Sequence, residues 1–447
     1  MAGISLAPAD TALTASPTWE RIDTAYNVTS FTVDRGRPNE MGRTDTGTAH
    51  IELIDKTGAF DPTNLGGHFF GRLTAGVPMG PLVQARIELQ NPLTSVWTTL
   101  FRGFISSIQW VPYRRETHAN VTIDLVDGLA YLAACEMAPD GSFGDEVFEG
   151  NIVFHEKSTG SVDAVQGRIN KALDQAQWPA ALREIFTGNV YLQETVYAPR
   201  STVLSVIQDA ADAEFPDVAN VYIGGPRSPG NLVFHGRLAR FNPADTSYNI
   251  QRWNTGDDAA ANADTANVCR LSPPLVASLD DTLLYTSALA TPQNIDDGDI
   301  PGQYLTNPAE AAKKGLRTWS AENLATFGGV STTAEVEVLK FADYIRDNYP
   351  QPKVRVGQLT IKSRNPSSVY AAATWNLICK VDISDIVHVK TTHTGGGGFD
   401  TDFYVEGIHY TARPGPAYPG TLSGVAIPYV ELTLDVSPRG YYDVNPF

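Results

Sequence analysis

Three segments decide how this chain folds: Leu82–Val83–Gln84–Ala85–Arg86, Phe101–Arg102–Gly103–Phe104 and Val121–Thr122–Ile123–Asp124–Leu125. The first and third alternate apolar and polar side chains, as a strand does when one face is buried and the other is wet. The same trio recurs near the C-terminus as Ile386–Val387–His388–Val389–Lys390, Val405–Glu406–Gly407–Ile408 and Val430–Glu431–Leu432–Thr433–Leu434. Val83 and Gly103 are as far apart as Val387 and Gly407, which places the two glycines at equivalent hairpin positions. A glycine inside a strand marks a bulge or a close approach of backbones. A repeated strand–hairpin–strand unit implies two related β-barrels in one chain.

Outward from these segments the alternation continues. Ala49, Ile51 and Leu53 face one way and His50 and Glu52 the other, and Val436 extends the last strand. Turn clusters at Asp34–Arg35–Gly36 and Lys56–Thr57–Gly58 separate the strands. The middle of the chain changes period. Ser161 caps a helix with Val162, Val165, Ile169 and Leu173 on one stripe, and a second helix after Ser201 turns Val203, Leu204 and Ile207 inward. Val221–Ile223 and Leu232–Phe234 flank a Gly/Pro turn and form a hairpin. Thr332 and Glu335 read as a capping box for a third helix, with Val338, Phe341, Ala342 and Ile345 on its core stripe and Pro350 beyond its end. Asn254 to Ile300 holds eight Asp against one Arg, which reads as an inter-domain surface or linker. The expected class is mainly β with inserted α/β. A first β-barrel occupies 1–138, an α/β insertion 139–260, an acidic linker with a helical segment 261–330, and a helix plus the second barrel 331–447.

Composition narrows the function. With 42% apolar and 19% charged residues, the chain has a globular rather than a disordered balance. Its formal net charge of −17 leaves no basic face with which to grip phosphates; the densest basic clusters are only Arg114–Arg115 and Lys313–Lys314. Cys135, Cys269 and Cys379 are odd in number and far apart, so no disulfide framework or zinc spacing is expected, and folding in a reducing cytoplasm fits. The N-terminus has no signal-peptide pattern, and no apolar run reaches the ~18 residues of a membrane span.

Catalytic constellations are weak. Asp296, Asp297 and Asp299 resemble part of a calcium loop, but the closing glutamate is missing. The histidines show no metal-binding spacing, and His388 and His409 read as half-buried strand residues. Gly395 to Gly398 is a hairpin tip; a phosphate cradle would open a helix. A cell-wall hydrolase needs two positioned carboxylates, a metal or an activated thiol, and none has a recognisable context here. No catalytic, cofactor-binding or metal-binding residue is expected, and the chain reads as a non-enzyme.

Several segments resemble the tail-hub family, the minor tail proteins of long-tailed phages that infect actinobacteria. They are Val33–Arg37 through Gly42–Arg43, Gly47–Leu53, Gly58–Asn64, Leu100–Phe104 and Val121–Asp127, followed near the other end by Ser331–Tyr349, Lys353–Val356, Asp382–Val389 and Phe403–Ile408. The resemblance implies two tail-tube-like barrels per chain in a homotrimeric ring below the tail tube, in the tail tip or baseplate of the virion. That ring would frame the DNA exit, let DNA pass through its lumen without specific binding during genome ejection, and anchor the distal tail protein, the tape-measure protein and receptor-binding tip proteins. Assembly would take place in the host cytoplasm. The alternative is a receptor- or carbohydrate-binding tail module, with Trp253 or Trp319 as aromatic platforms.

Overall fold

A computed structural model of the chain describes residues 2–7, 13–23, 27–64, 67–69, 82–112, 118–137, 146–148, 151–154, 164–216, 218–242, 248–279, 281, 283–293, 303–329, 333–392, 397–413 and 429–441. The N-terminal part supplies β1 (Ala2–Leu6), β2 (Glu20–Arg21), β3 (Asn27–Gly36), β4 (Asp45–Asp55), β5 (Gln84–Gln90), β6 (Trp97–Pro112) and β7 (Ala119–Val126), closed by helix α1 (Gly128–Ala134). The strands lie in the order β3-β4-β7-β6-β5-β1-β2. Alternation sets their faces: Ala49, Ile51 and Leu53 are buried while Glu52 is exposed. Each such Ile or Leu contributes ~1.5–3 kcal/mol by leaving water, so the apolar stripe dictates register as well as stability.

The middle region holds β8 (Glu146–Phe148), β9 (Asn151–Phe154), α2 (Val165–Gln175), β10 (Arg183–Ile185), β11 (Val190–Leu192), β12 (Thr195–Tyr197), α3 (Val203–Glu214), β13 (Asn220–Ile223), β14 (Leu232–His235) and α4 (Leu238–Phe241). Ile169 and Leu173 of α2 and Val206 and Ile207 of α3 pack with Trp178 in a core of their own. Thr202 caps α3 by accepting from the Ser205 N–H, as the sequence pattern requires. Helix α2 differs from expectation. Its N-cap is Ala164, which makes no side-chain cap bond, and Ser161 and Val162 lie outside the described residues.

The chain continues through β15 (Arg252–Gly256), α5 (Asp258–Ala263), β16 (Val268–Arg270), β17 (Ala277–Ser278), β18 (Ser287–Pro292), β19 (Gln303–Thr306), α6 (Pro308–Lys314), β20 (Thr318–Leu324), β21 (Thr326–Gly329) and α7 (Ala334–Asn348). Part of the stretch read as an acidic linker is therefore sheet: β15 lies parallel to β24 of the C-terminal part, in register from Arg252–Ile386 to Gly256–Lys390. Val338, Phe341 and Ile345 of α7 form the expected stripe and pack with Phe215 and Trp319. The capping box is not formed, because Thr333 is the N-cap and makes no side-chain bond, and Thr332 lies outside the described residues.

The last elements are β22 (Arg355–Val356), β23 (Gln358–Lys362), α8 (Ala371–Lys380), β24 (Ile386–Thr392), β25 (Gly398–Arg413) and β26 (Tyr429–Pro438). They repeat the N-terminal unit. In the first copy the N–H of Leu82 donates to the Ile105 carbonyl (2.9 Å) and the N–H of Ile105 to the Val83 carbonyl (2.9 Å). In the second, Ser384 donates to Val405 (2.8 Å) and Val405 to Asp385 (2.8 Å). Leu82 and Ser384 share the same left-handed backbone, with φ of 72° and 71°. A bulge follows at once in both long strands, between Ile105 and Ser107 and between Val405 and Gly407. Ile105 thus matches Val405, Ser107 matches Gly407 and Asp124 matches Asp435. The sequence match of Gly103 to Gly407 is out of step; Gly103 corresponds to Phe403.

The two repeats share one sheet. The first half of β25 pairs with β24, and beyond the bulge the same edge pairs with β3, from Gly407–Gly36 to Ala412–Phe31. The other edge of β25 is occupied from Phe403 to Arg413 by β26. This β3–β25 junction makes a continuous 13-stranded sheet. The large mixed sheet, with an α/β region between its two repeats, is the fold class that the alternation implied.

Candidate functional site

At the junction, one segment, Val33 to Arg43, reaches every neighbouring part of the molecule. Its apolar Val33 points into the core, and its charged residues each find a separate partner. Asp34 accepts from His409 of β25 (2.8 Å), whose other ring nitrogen lies 2.6 Å from Asp435 of β26. Arg35 forms a buried pair with Asp382 (3.2 Å) and donates to the carbonyl of Ile223 in β13 (3.1 Å). Arg37 donates to Glu406 of β25 (2.8 Å) and to the Gly42 carbonyl (2.6 Å). Glu40 pairs with Arg355 of β22 (2.7 Å), and Arg43 with Asp212 of α3.

Glu406 is the hub of this network. It is fully buried and receives Arg37, Arg240 of α4, and the hydroxyl of Ser437 in β26. Burial alone would raise its pKa, but the charges of Arg240 and Arg37 reverse that and hold the carboxyl well below its ordinary range. Gly36 makes the approach possible. Its φ is +98°, and a Cβ there would sit 2.2 Å from the Glu406 carbonyl oxygen.

Two further carboxylates complete the seam. Asp382 accepts from Arg35 and from the Gly225 N–H (3.0 Å), in the turn between β13 and β14. A Cβ on Gly225 would lie 2.3 Å from the Arg35 guanidinium. Asp385 accepts from both terminal nitrogens of Arg227 (2.7 and 2.8 Å), the Gln251 N–H (2.9 Å) and the Trp253 indole (2.8 Å). Burial raises the Asp385 pKa against the pull of Arg227. Farther out, Arg237 joins Glu337 of α7 (2.6 Å). The arrangement clamps both β repeats to the middle region.

The remaining sequence candidates fall elsewhere. Asp296, Asp297 and Asp299, and Gly395 and Gly396 of the glycine run, lie outside the described residues, as do Arg114 and Arg115. His388 sits between Asp402 (2.8 Å) and Asp400 (3.2 Å), in a cleft of about 300 Å³ shared with Arg252 and Arg439. Arg252 and Arg439 both bind Asp402, so the cleft's charges satisfy one another. Burial pushes the thiols of Cys269 and Cys379 up to about 12. Among the described residues no cluster of His, Cys, Asp and Glu is able to hold a metal ion, and no helix is long and apolar enough to cross a membrane. Trp319 is buried and Trp253 is partly buried with its indole on Asp385, so neither offers an exposed platform.

Sequence reasoning singled out Val33–Arg43, Asp382–Val389 and Phe403–Ile408 but did not see that they meet. The available signal was an excess of charge at strand positions next to apolar runs. Comparison with known proteins fits the topology. No protein-family model and no curated protein sequence matches the chain. Among solved structures, the tail protein from Neisseria meningitidis MC58 is similar over 99% of this chain and 98% of its own, with a TM-score of 0.53 at 12% identity. The 43 kDa tail protein of prophage MuSo2 from Shewanella oneidensis covers 99% of this chain and 100% of its own, with a TM-score of 0.51 at 11% identity. The chain therefore has the fold of phage tail proteins along its whole length.

Proposed function

We propose that the protein is a structural component of a phage tail tip, the hub or minor tail protein of a long-tailed phage of the kind that infects actinobacteria. In this reading three copies form a ring below the tail tube. The ring frames the DNA exit and holds the distal tail protein, the tape-measure protein and the receptor-binding tip proteins. DNA passes the lumen without specific binding, since a trimer of chains each carrying −17 repels phosphate. The protein performs no catalysis, assembles in the host cytoplasm and stays in the virion. The observation that carries the reading is the pair of matched β repeats in one chain, joined through one sheet and a buried ionic seam, within a tail-protein fold. Three chains then supply six repeats. Electron microscopy of the purified protein and of tails carrying a labelled copy tests it. The expected result is a threefold ring at the tip; a monomer at micromolar concentration together with absence of label from the tip overturns it.

A further inference from the structure

The β3–β25 junction has an unfilled counterpart in the other repeat. Matching Val405 to Ile105 places Gly407–Ala412, the stretch of β25 that receives β3, on Ser107–Pro112 of β6. β7 occupies one edge of that stretch. On its other edge, residues 106–112 have no strand partner among the described residues, and no described residue hydrogen-bonds to the backbone of Ile108 or Trp110 there. Protection is confined to the ends of this edge, the bulge at Ser106 and Pro112. Between them Ser107–Val111 has no charged residue and presents Val111 at 59% exposure. The indole N–H of Trp110 is buried without an acceptor.

The strand that would fill such an edge is also present, on the opposite flank of the chain. β4 matches β22–β23, because His50 faces Asp124 as Gln358 faces Asp435. The strand outside β4 is β3. The strand outside β22 is β17, antiparallel to it as β3 is to β4, with Ser278 opposite Arg355. Leu271–Leu279 contains no charged residue in this strongly acidic protein, and Val276 and Leu279 are 62% and 65% exposed.

We infer that residues 275–279 of one copy add as an antiparallel strand to the Ser106–Pro112 edge of a second copy, reproducing between chains the join that β3 and β25 make within one. Carrying the β3–β25 register across puts Ser278 opposite Ile108, Ala277 opposite Gln109, Val276 opposite Trp110 and Leu275 opposite Val111. The exposed Val111 then meets Leu275, and the exposed Val276 covers Trp110. Donor strand and acceptor edge lie on different repeats of one chain, so the contact is head-to-tail and closes into a ring when the rotation allows. This inference rests on the ring reading above and names the surface that builds the ring.

Cysteines at Gln109 and Ala277 test it in the full-length chain. In this register both positions lie on the outer face, at a non-hydrogen-bonded pair where Cα atoms come within roughly 4.5 Å of each other. The Gln109→Cys, Ala277→Cys double variant should oxidise to covalent multimers ending at a closed trimer, and neither single variant should do so. A second arm uses V111E and A277E. Each should raise the dissociation constant of assembly at least ~10-fold without moving the thermal midpoint of the monomer, and the pair Q109K with A277E should recover part of the loss. A ring that forms with no cross-link above the single-variant background, or that is indifferent to V111E, overturns the edge assignment and leaves the ring reading standing. A protein that is monomeric both in solution and in tails overturns both.

Discussion

The two β repeats carry the same backbone device and treat the same edge in opposite ways. Beyond the bulge in β25 the edge is covered by β3, and the join is charged: Arg37 reaches Glu406 and Arg35 reaches Asp382 in buried pairs, and Asp34 meets His409 on the partly exposed face. Beyond the bulge in β6 the edge is uncharged and has no strand partner among the described residues. The difference follows from permanence. An ion pair can be buried without ruinous cost only where its partner is always present and well aligned, which holds for a contact within one chain. A surface that must be soluble before assembly cannot carry unpaired buried charges, and apolar side chains tolerate both states.

The comparison breaks most sharply at Glu406. Glu406→Gln keeps the shape but removes the charge that compensates Arg37 and Arg240, both buried. Removing one partner of a buried pair typically costs ~3–5 kcal/mol. Urea denaturation should show a loss of that order. A loss below ~1 kcal/mol would mean that the seam contributes packing and not charge. Because the folded pKa of Glu406 is depressed, its contribution is present above the ordinary carboxylate range and is lost only as pH falls well below 4.5. Gly36→Ala should come next. It puts a Cβ against the Glu406 carbonyl at φ +98°, and a destabilisation of at least ~1 kcal/mol is expected in the same measurement.

Period-two alternation made the strands legible, because burial of Ile51 or Leu434 depends on residues two positions away. The repeat was legible as an event and not as a register. Its true anchors are Leu82 and Ser384, chemically unlike residues that share one backbone conformation, while the look-alike glycines Gly103 and Gly407 serve different purposes. Gly103 lets β6 pass the Val126 carbonyl, and Gly407 sits at the bulge against Asp435. The seam was illegible for a further reason. Asp34, Arg35 and Gly36 read as a turn, yet all three belong to β3, and a buried arginine is recognisable only once Asp382 or Glu406, hundreds of positions away, is placed beside it.

His409 sharpens the comparison at intermediate scale. Hydrogen bonds that its ring donates to Asp34 and Asp435 push its pKa up to about 9 from an ordinary 6.5. A group whose folded pKa is raised contributes fully below its unfolded value and loses that contribution as pH rises through the folded one. The β3–β25 join should therefore be tightest at pH 6 and loosen between about pH 6.5 and 9. The ring is 36% exposed, so solvent screening limits the effect to ~1 kcal/mol or less. Thermal midpoints of wild type and His409→Gln should converge as pH rises through 9. A gap that stays constant from pH 6 to 10 would assign the stabilisation to packing of the ring.

The smallest effect belongs to Arg43, at the outer end of the same segment. Its guanidinium bridges Asp209 and Asp212 of α3, and its pKa is raised by those carboxylates against the opposing effect of burial. The side chain is half exposed, however, and Asp209 is 45% exposed. An exposed pair gains little, because water already solvates both charges and ordering two long side chains costs entropy. Arg43→Ala should change stability by no more than ~0.5 kcal/mol, and that small difference should shrink further in 0.5 M salt. Set beside Glu406→Gln, the pair of variants measures how stabilisation falls along a single strand and turn as its charges move from the sheet junction to the surface. A loss at Arg43 as large as at Glu406 would mean that the helix α3 contact, and not the β3–β25 join, holds the middle region to the sheet.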